Sequence, residues 1–321
     1  MNLSYLSLAK YKFILQAEEM LTLPSFKGSI FRGGFGSVFR KIICVNKKKD
    51  CSHCLLKDEC IYSYIFETPV PTESTYINKN KISTIPHPFI IEPPLEKKER
   101  YEPGETLSFN LILIGKAISY LSYFIFTFEK LGEVGLGRER AHYKLLKVES
   151  FKNPSQRELI YNSQTQTLKK IDTQIDISQI FSFQQLTTGS ITINFLTPVR
   201  IKYQGSYTSY PAFHIISRSL LRRLSYLLYF HCGRELNIDY KEIIEKAKKI
   251  ETLKATIHWI DWERYSSRQH QTMKLGGFVG KVSYKGEMER FLPFLKAGEY
   301  IHLGKATVFG LGKYEIMERQ L

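Results

Sequence analysis

The order in which the hydrophobic period changes along this chain is what most limits its fold. Apolar residues follow a strand pattern over Tyr11–Leu23, then recur near helical spacing over Lys27–Cys44, at Ile30, Phe31, Phe35, Val38, Phe39 and Ile42. A Pro-rich stretch from Pro86 to Pro103 can hold an extended edge segment but no long helix. Strand signals at Glu105–Ile114 and Ala141–Glu149 then flank an aromatic-rich helix signal at Ala117–Lys130. A second series follows: a strand at Ser190–Tyr203, an amphipathic helix at Phe213–His231 closed by Gly233, and a short helix at Tyr240–Ile250. Strands at Thr252–Tyr265 and Lys274–Tyr284, a helix at Glu287–Leu295 and a strand at Gly312–Met317 complete it. Both series read as βαββαβ, which predicts an α+β chain of two tandem ferredoxin-like (RRM-like) domains, the second with an extra helix. The expected domains are 1–150 and 186–321, joined by a connecting segment at 151–185 that is rich in Ser, Gln, Thr and Asn. Gly33, Gly34 and Gly36 would each weaken the first helix by about 1 kcal/mol, so something is expected to pack closely against it.

Charge narrows the partner. The 321 residues carry 46 Lys+Arg against 31 Asp+Glu, a net charge of +15, on a chain that is 13% aromatic. Cations that neutralise phosphates release condensed counterions, so this balance favours a nucleic acid. The larger share lies late: 21 Lys/Arg against 12 Asp/Glu in residues 186–321. No membrane partner is expected, because the one dense basic run, Lys47–Lys49, sits inside a cysteine cluster rather than beside an amphipathic anchor. The uncharged stretch Ala117–Phe128 is shorter than the roughly 20 residues that span a bilayer. The first 20 residues lack the pattern of a secretory signal, which predicts a cytoplasmic protein.

Three clusters carry chemistry. Cys44, Cys51, Cys54 and Cys60 form a C-x6-C-x2-C-x5-C array holding four of the five cysteines. In a reducing compartment this favours four thiolates on a structural Zn2+, a zinc-knuckle insertion, over an iron–sulfur cluster or uncoordinated thiols, with His53 as a substitute ligand. The tail GEYIHLGKATVFGLGKY places Gly304, Gly310 and Gly312 among Lys305 and Lys313, so that backbone N–H groups and lysines could meet phosphates. It is not a Walker A loop, since Ala306 stands where Ser or Thr would hold magnesium; as a plain Gly-rich hairpin it would be unremarkable. His302 beside it is suited to proton transfer. The third cluster, Arg264 to His270 (RYSSRQH), offers two guanidiniums, an aromatic ring and an amide for single-stranded RNA, or else is a bland hairpin loop. Arg218, Arg222 and Arg223 give the helix after His214 a basic face.

Taken together, FRGGFGSVFRKIIC with its cysteines, CIYSYIFETP, GEVGLGR, RYSSRQ, GGFVGKVSYKG and HLGKATVFGLGKYEI resemble the repeat-RNA-processing CRISPR endoribonucleases of the Cas6 type. The likeness is greatest to the subgroup with an N-terminal cysteine cluster. The resemblance implies a precursor CRISPR RNA (pre-crRNA) substrate and cleavage within the repeat without a catalytic metal, leaving 2′,3′-cyclic phosphate and 5′-hydroxyl ends. CRISPR effector complex subunits are implied as further partners, and a noncatalytic guide-RNA-binding subunit is the competing reading. Many relatives place a catalytic histidine near the first helix, whereas residues 1–52 here contain none. Either the enzyme works without a histidine or the acid/base comes from elsewhere; the expectation is His302, with Lys305 and Arg268 stabilising charge, Tyr265 assisting and His270 in reserve. Arg264, Gln269, His270, Lys274, Arg218, Arg222, Gly304, Gly310, Gly312 and Lys313 are expected to bind RNA.

Overall fold

The structure, a computed structural model, describes residues 3–46, 51, 53–70, 84–151, 153, 156–175, 189–266 and 271–317. Two units emerge, one of residues 7–175 with 230–233, the other of residues 1–6, 176–229 and 234–321. In the first, β1 (Leu8–Ala17) turns Tyr11, Phe13, Leu15 and Ala17 into the core and leaves Lys10, Lys12, Ile14 and Gln16 partly exposed, the period of 2 that a one-sided sheet needs. A short strand β2 (Leu21–Thr22) and helix α1 (Gly28–Ile43) follow, then β3 (Phe89–Glu92), the short β4 (Arg100–Tyr101) and β5 (Thr106–Ile114). Helix α2 (Leu121–Val134) leads to β6 (Tyr143–Phe151), β7 (Arg157–Asn162) and β8 (Thr167–Leu168). The antiparallel sheet runs β3-β5-β1-β6-β7-β8, whose first four strands have ferredoxin-like order. The Pro-rich stretch supplies the edge strand β3, as its composition requires. The segment expected to connect the halves in part extends this sheet, as β7 and β8, because Ile160 and Tyr161 are apolar enough to be buried.

Phe35 is the centre of this unit's core. Its ring lies 4.8 Å from that of Phe124, 5.0 Å from Phe39, 5.1 Å from Phe128, 5.7 Å from Phe66 and 5.9 Å from Phe89. Such close approach explains two of the helix glycines. A Cβ at Gly34 would lie 2.9 Å from the Leu131 side chain of α2, and one at Gly36 would lie 2.6 Å from the Phe66 ring. Gly33 faces open space, and nothing in the structure explains it.

The second unit repeats the order. It contains β9 (Ser190–Val199), the hairpin β10 (Lys202–Tyr203) and β11 (Ser206–Tyr207), helix α3 (Phe213–Cys232) as far as residue 229, helix α4 (Tyr240–Lys248), and β12 (Glu251–Ile260). The ribbon β13 (Glu263–Ser266) and β14 (Gln271–Lys274), β15 (Gly277–Lys285), helix α5 (Leu292–Ile301) and β16 (Tyr314–Met317) complete it. The sheet runs β12-β15-β9-β16, again ferredoxin-like, all antiparallel. The strand expected through Tyr265 ends at Ile260, where the Asp261 carboxylate accepts the Trp259 indole N–H at 2.9 Å and the chain leaves the sheet as a separate ribbon. The last helix begins later than its apolar pattern suggests, with Pro293 in its first turn, where a missing N–H costs nothing. Among the described residues no helix is long and apolar enough to cross a membrane.

The helix glycines give a test by urea unfolding. Gly33→Ala is expected to stabilise the first unit by about 0.5–1 kcal/mol, the ordinary gain in a helix interior. Gly36→Ala, one turn on, is expected to destabilise it by about 1–3 kcal/mol through overpacking against Phe66.

Candidate functional site

The Gly-rich loop, residues 302–313 between α5 and β16, is folded by main-chain bonds. Leu303 N–H donates to the Gly312 carbonyl at 2.9 Å, Lys305 N–H to the Arg200 carbonyl at 2.9 Å, and Gly312 N–H to the Pro198 carbonyl at 3.0 Å. The Thr197 hydroxyl donates to the Gly310 carbonyl at 2.8 Å and accepts from Lys313 N–H at 2.9 Å. Glycine is required at two points. Gly304 has φ +84° and a Cβ there would lie 2.4 Å from the Arg200 oxygen; Gly312 has φ +75° and its Cβ would lie 1.9 Å from that of Leu303. Lys305 is left exposed at the outer edge.

Arg200 is the residue on which this loop is built. Besides its carbonyl bond to Lys305, its buried guanidinium donates to the Gly276 carbonyl at 2.8 Å and stacks on the Tyr207 ring at 4.4 Å from the centroid. Tyr207 stands directly across from Lys202 in a two-residue hairpin whose turn, Gln204-Gly205, has φ +47° and +89°. Burial tends to raise the Tyr207 phenol, but a hydrogen bond and charge from Arg200, with Lys305 and Lys202, outweigh it and hold the pKa below the usual phenol value. Among the described residues Arg200, Lys202 and Lys305 have no acidic partner, so their field is uncompensated. Arg200, Lys202 and Tyr207 were not among the residues expected from sequence. Their one signal is a Gln-Gly turn flanked by cations in RIKYQGSY.

His302, expected as the acid/base, requires correction. It is fully buried, its Nδ1 lies 3.0 Å from the Leu311 carbonyl, and its backbone, at φ +59° and ψ 167°, is in a region that disfavours side chains. The imidazole thus braces the inside of the loop and is shut off from solvent. Just before it, the Ile301 carbonyl accepts the Arg223 Nε–H at 2.7 Å. Arg223 therefore leaves the expected basic face and is buried; its pKa is lowered to about 9 by burial, which leaves it charged at neutral pH. Arg218 and Arg222 do lie exposed on α3, and Lys313 is partly exposed. Arg264 and Tyr265 lie on β13 and Lys274 on β14, pairing as Arg264–Met273 and Tyr265–Thr272. Arg268, Gln269 and His270 lie outside the described residues.

The cysteines gather in the first unit. Cys44 caps the end of α1, Cys60 precedes the helical turn holding Tyr62 and Phe66, and Cys54 N–H donates to the Cys51 carbonyl at 3.3 Å. All four line one cavity of about 20 Å3, also bordered by Asn46, Lys57, Tyr62 and Ser63. Among the described residues no three His, Cys, Asp or Glu side chains already stand as a metal-holding group. The donor set nonetheless fits a thiophilic ion. Burial, Glu67 and the thiols of Cys44 and Cys60 push the Cys51 thiol up against the pull of Arg40, a crowding of incipient negative charge that a cation would relieve.

The fold is thus a pair of tandem ferredoxin-like units, the second ending in a glycine loop with uncompensated cations beside it. A family model for CRISPR-associated endoribonuclease Cas6 matches residues 193–314, and one described as an N-terminal domain, AF_1859_N, matches residues 6–173. Over residues 193–314 the chain is thus of the Cas6 type. An uncharacterized protein of Archaeoglobus fulgidus is 25% identical over 301 residues, 92% of each chain. In fold, the chain resembles a Thermus thermophilus Cas6 solved as a product complex, with a TM-score of 0.58 at 15% identity over 97% of this chain and 100% of that one. It also resembles a partial Cas6-RT-Cas1–Cas2 complex, with a TM-score of 0.56 at 15% identity over 99% of this chain and 48% of that one.

Gly304→Ala is expected to cost about 1–3 kcal/mol in the second unit, since strain at φ +84° adds to the clash with the Arg200 carbonyl. Arg223→Met is expected to cost a similar amount, about 1–3 kcal/mol, by leaving the Ile301 carbonyl without its buried donor. Thermal unfolding followed by near-ultraviolet circular dichroism checks both.

Proposed function

We propose that this protein cleaves pre-crRNA within its repeats by attack of the 2′-hydroxyl on the adjacent phosphate, leaving 2′,3′-cyclic phosphate and 5′-hydroxyl ends without a catalytic metal. The observation that carries this reading is that the Cas6 family match at 193–314 encloses both the Gly-rich loop and the Arg200 cluster. Arg200, Lys202 and Lys305 offer the preorganised positive charge that a phosphorane needs, fixed by backbone bonds before any substrate arrives. The Thermus thermophilus Cas6 of similar fold was solved with product, which supports repeat RNA as the partner here. Burial of His302 favours a second reading, in which the loop only grips guide RNA within an effector complex.

Incubation with repeat RNA in excess EDTA separates the two. The first predicts one cut per repeat and a 5′ fragment that resists phosphatase until acid opens its cyclic phosphate. The second predicts salt-sensitive binding with the RNA intact.

In the same proposal Cys44, Cys51, Cys54 and Cys60 hold a structural zinc ion, which ties the loop after α1 to the core and leaves no open position for chemistry. Metal analysis of the purified protein is expected to find about one zinc per chain, and Cys51→Ser with Cys54→Ser to abolish it. Zinc-free protein with four freely titrating thiols would exclude the site.

A further inference from the structure

Cleavage through the 2′-hydroxyl needs a proton for the departing 5′-oxygen, and His302 is sealed inside the loop that was expected to supply it. We infer that Tyr207 is the general acid of this reaction and that Arg200 is its positioning residue. The inference rests on the endoribonuclease reading above.

The geometry carries it. Tyr207 is 44% exposed, so its hydroxyl can meet a bound strand. Its ring is fixed from below by the Arg200 guanidinium, and that guanidinium is itself fixed by the Gly276 carbonyl. The same residue's backbone carbonyl holds Lys305, so the phenol and the loop lysine are registered to one anchor. Cross-strand pairing puts Lys202 on the same face of the hairpin as Tyr207, while Tyr203, the next pair along, turns to the other face and packs edge-on against His214 at 5.8 Å. His214 is thereby directed away from the cluster.

The chemistry balances without another cofactor. The 2′-oxygen forms a bond to phosphorus and loses its proton to solvent. The bond from phosphorus to the 5′-oxygen breaks, its electron pair goes to that oxygen, and the Tyr207 proton follows. The remaining phenolate faces Arg200, Lys202 and Lys305, which is also why the phenol is held below its ordinary pKa, and it regains a proton from water.

A general acid is distinguished from a structural residue by its leaving group. Single-turnover cleavage of repeat RNA is compared with that of the same RNA carrying sulfur for the bridging 5′-oxygen at the scissile linkage, since a thiolate departs without a proton. Tyr207→Phe is expected to slow the oxygen substrate by about 100-fold or more, to leave RNA affinity within about twofold, and to cleave the sulfur substrate at close to the wild-type rate. Equal slowing on both substrates, or full activity on the oxygen substrate, overturns the assignment while leaving the endoribonuclease reading intact. If the wild-type protein cuts neither substrate, that reading fails, and the role of Tyr207 with it.

Discussion

The backbone pairing of β9 on both of its edges is the constraint from which the second unit's chemistry follows. With β15 on one side and β16 on the other, the start of each neighbour lies near the C-terminal end of β9: Phe278 opposite Val199, and Tyr314 opposite Phe195. The turn into β15, the loop into β16 and the hairpin leaving β9 are thus brought to the same end of the sheet. Arg200 is the first residue beyond that strand, and it reaches all three: the Gly276 carbonyl, Lys305 N–H and the Tyr207 ring. A split βαβ order therefore does more than cover a sheet. It gathers segments far apart in sequence around one cation.

The first unit is held differently, by ring packing about Phe35 rather than by polar anchors. The cysteine loop leaves from the two ends of that packing, α1 on one side and the turn carrying Tyr62 and Phe66 on the other, with the Arg40 guanidinium 5.4 Å from the Tyr62 ring. Cys44 and Cys60 inherit their positions from the core. Cys51 and Cys54 depend on the loop itself.

How far the chain could be read before its structure follows from the range of the forces involved. Strand and helix order was legible because hydrophobic period is local, and α1, β5 and α3 fall within a residue or two of their apolar patterns. The glycines of the tail were legible as a loop, since close backbone approach has few other solutions. His302 was not: a histidine next to Gly-Lys reads as a solvent-facing base, and only contacts from Leu311 and the adjoining Ile301–Arg223 bond turn that end of α5 inward. Arg200 and Tyr207 were passed over because a Gln-Gly hairpin is ordinary by itself. Its electrostatics come from Lys305, about a hundred residues along, which no local pattern reports.

The loop at 302–313 takes its shape from main-chain bonds and two glycines, not from the identity of the side chain it presents outward. Shape and specificity are therefore separable in this molecule. Position 305 can exchange one cation for another without refolding the loop, while the scaffold beneath it stays as it is; the inward residues 302 and 223 have no such latitude. A lineage of these proteins should vary the outer rim of the loop within the limits of its charge and stand still beneath it.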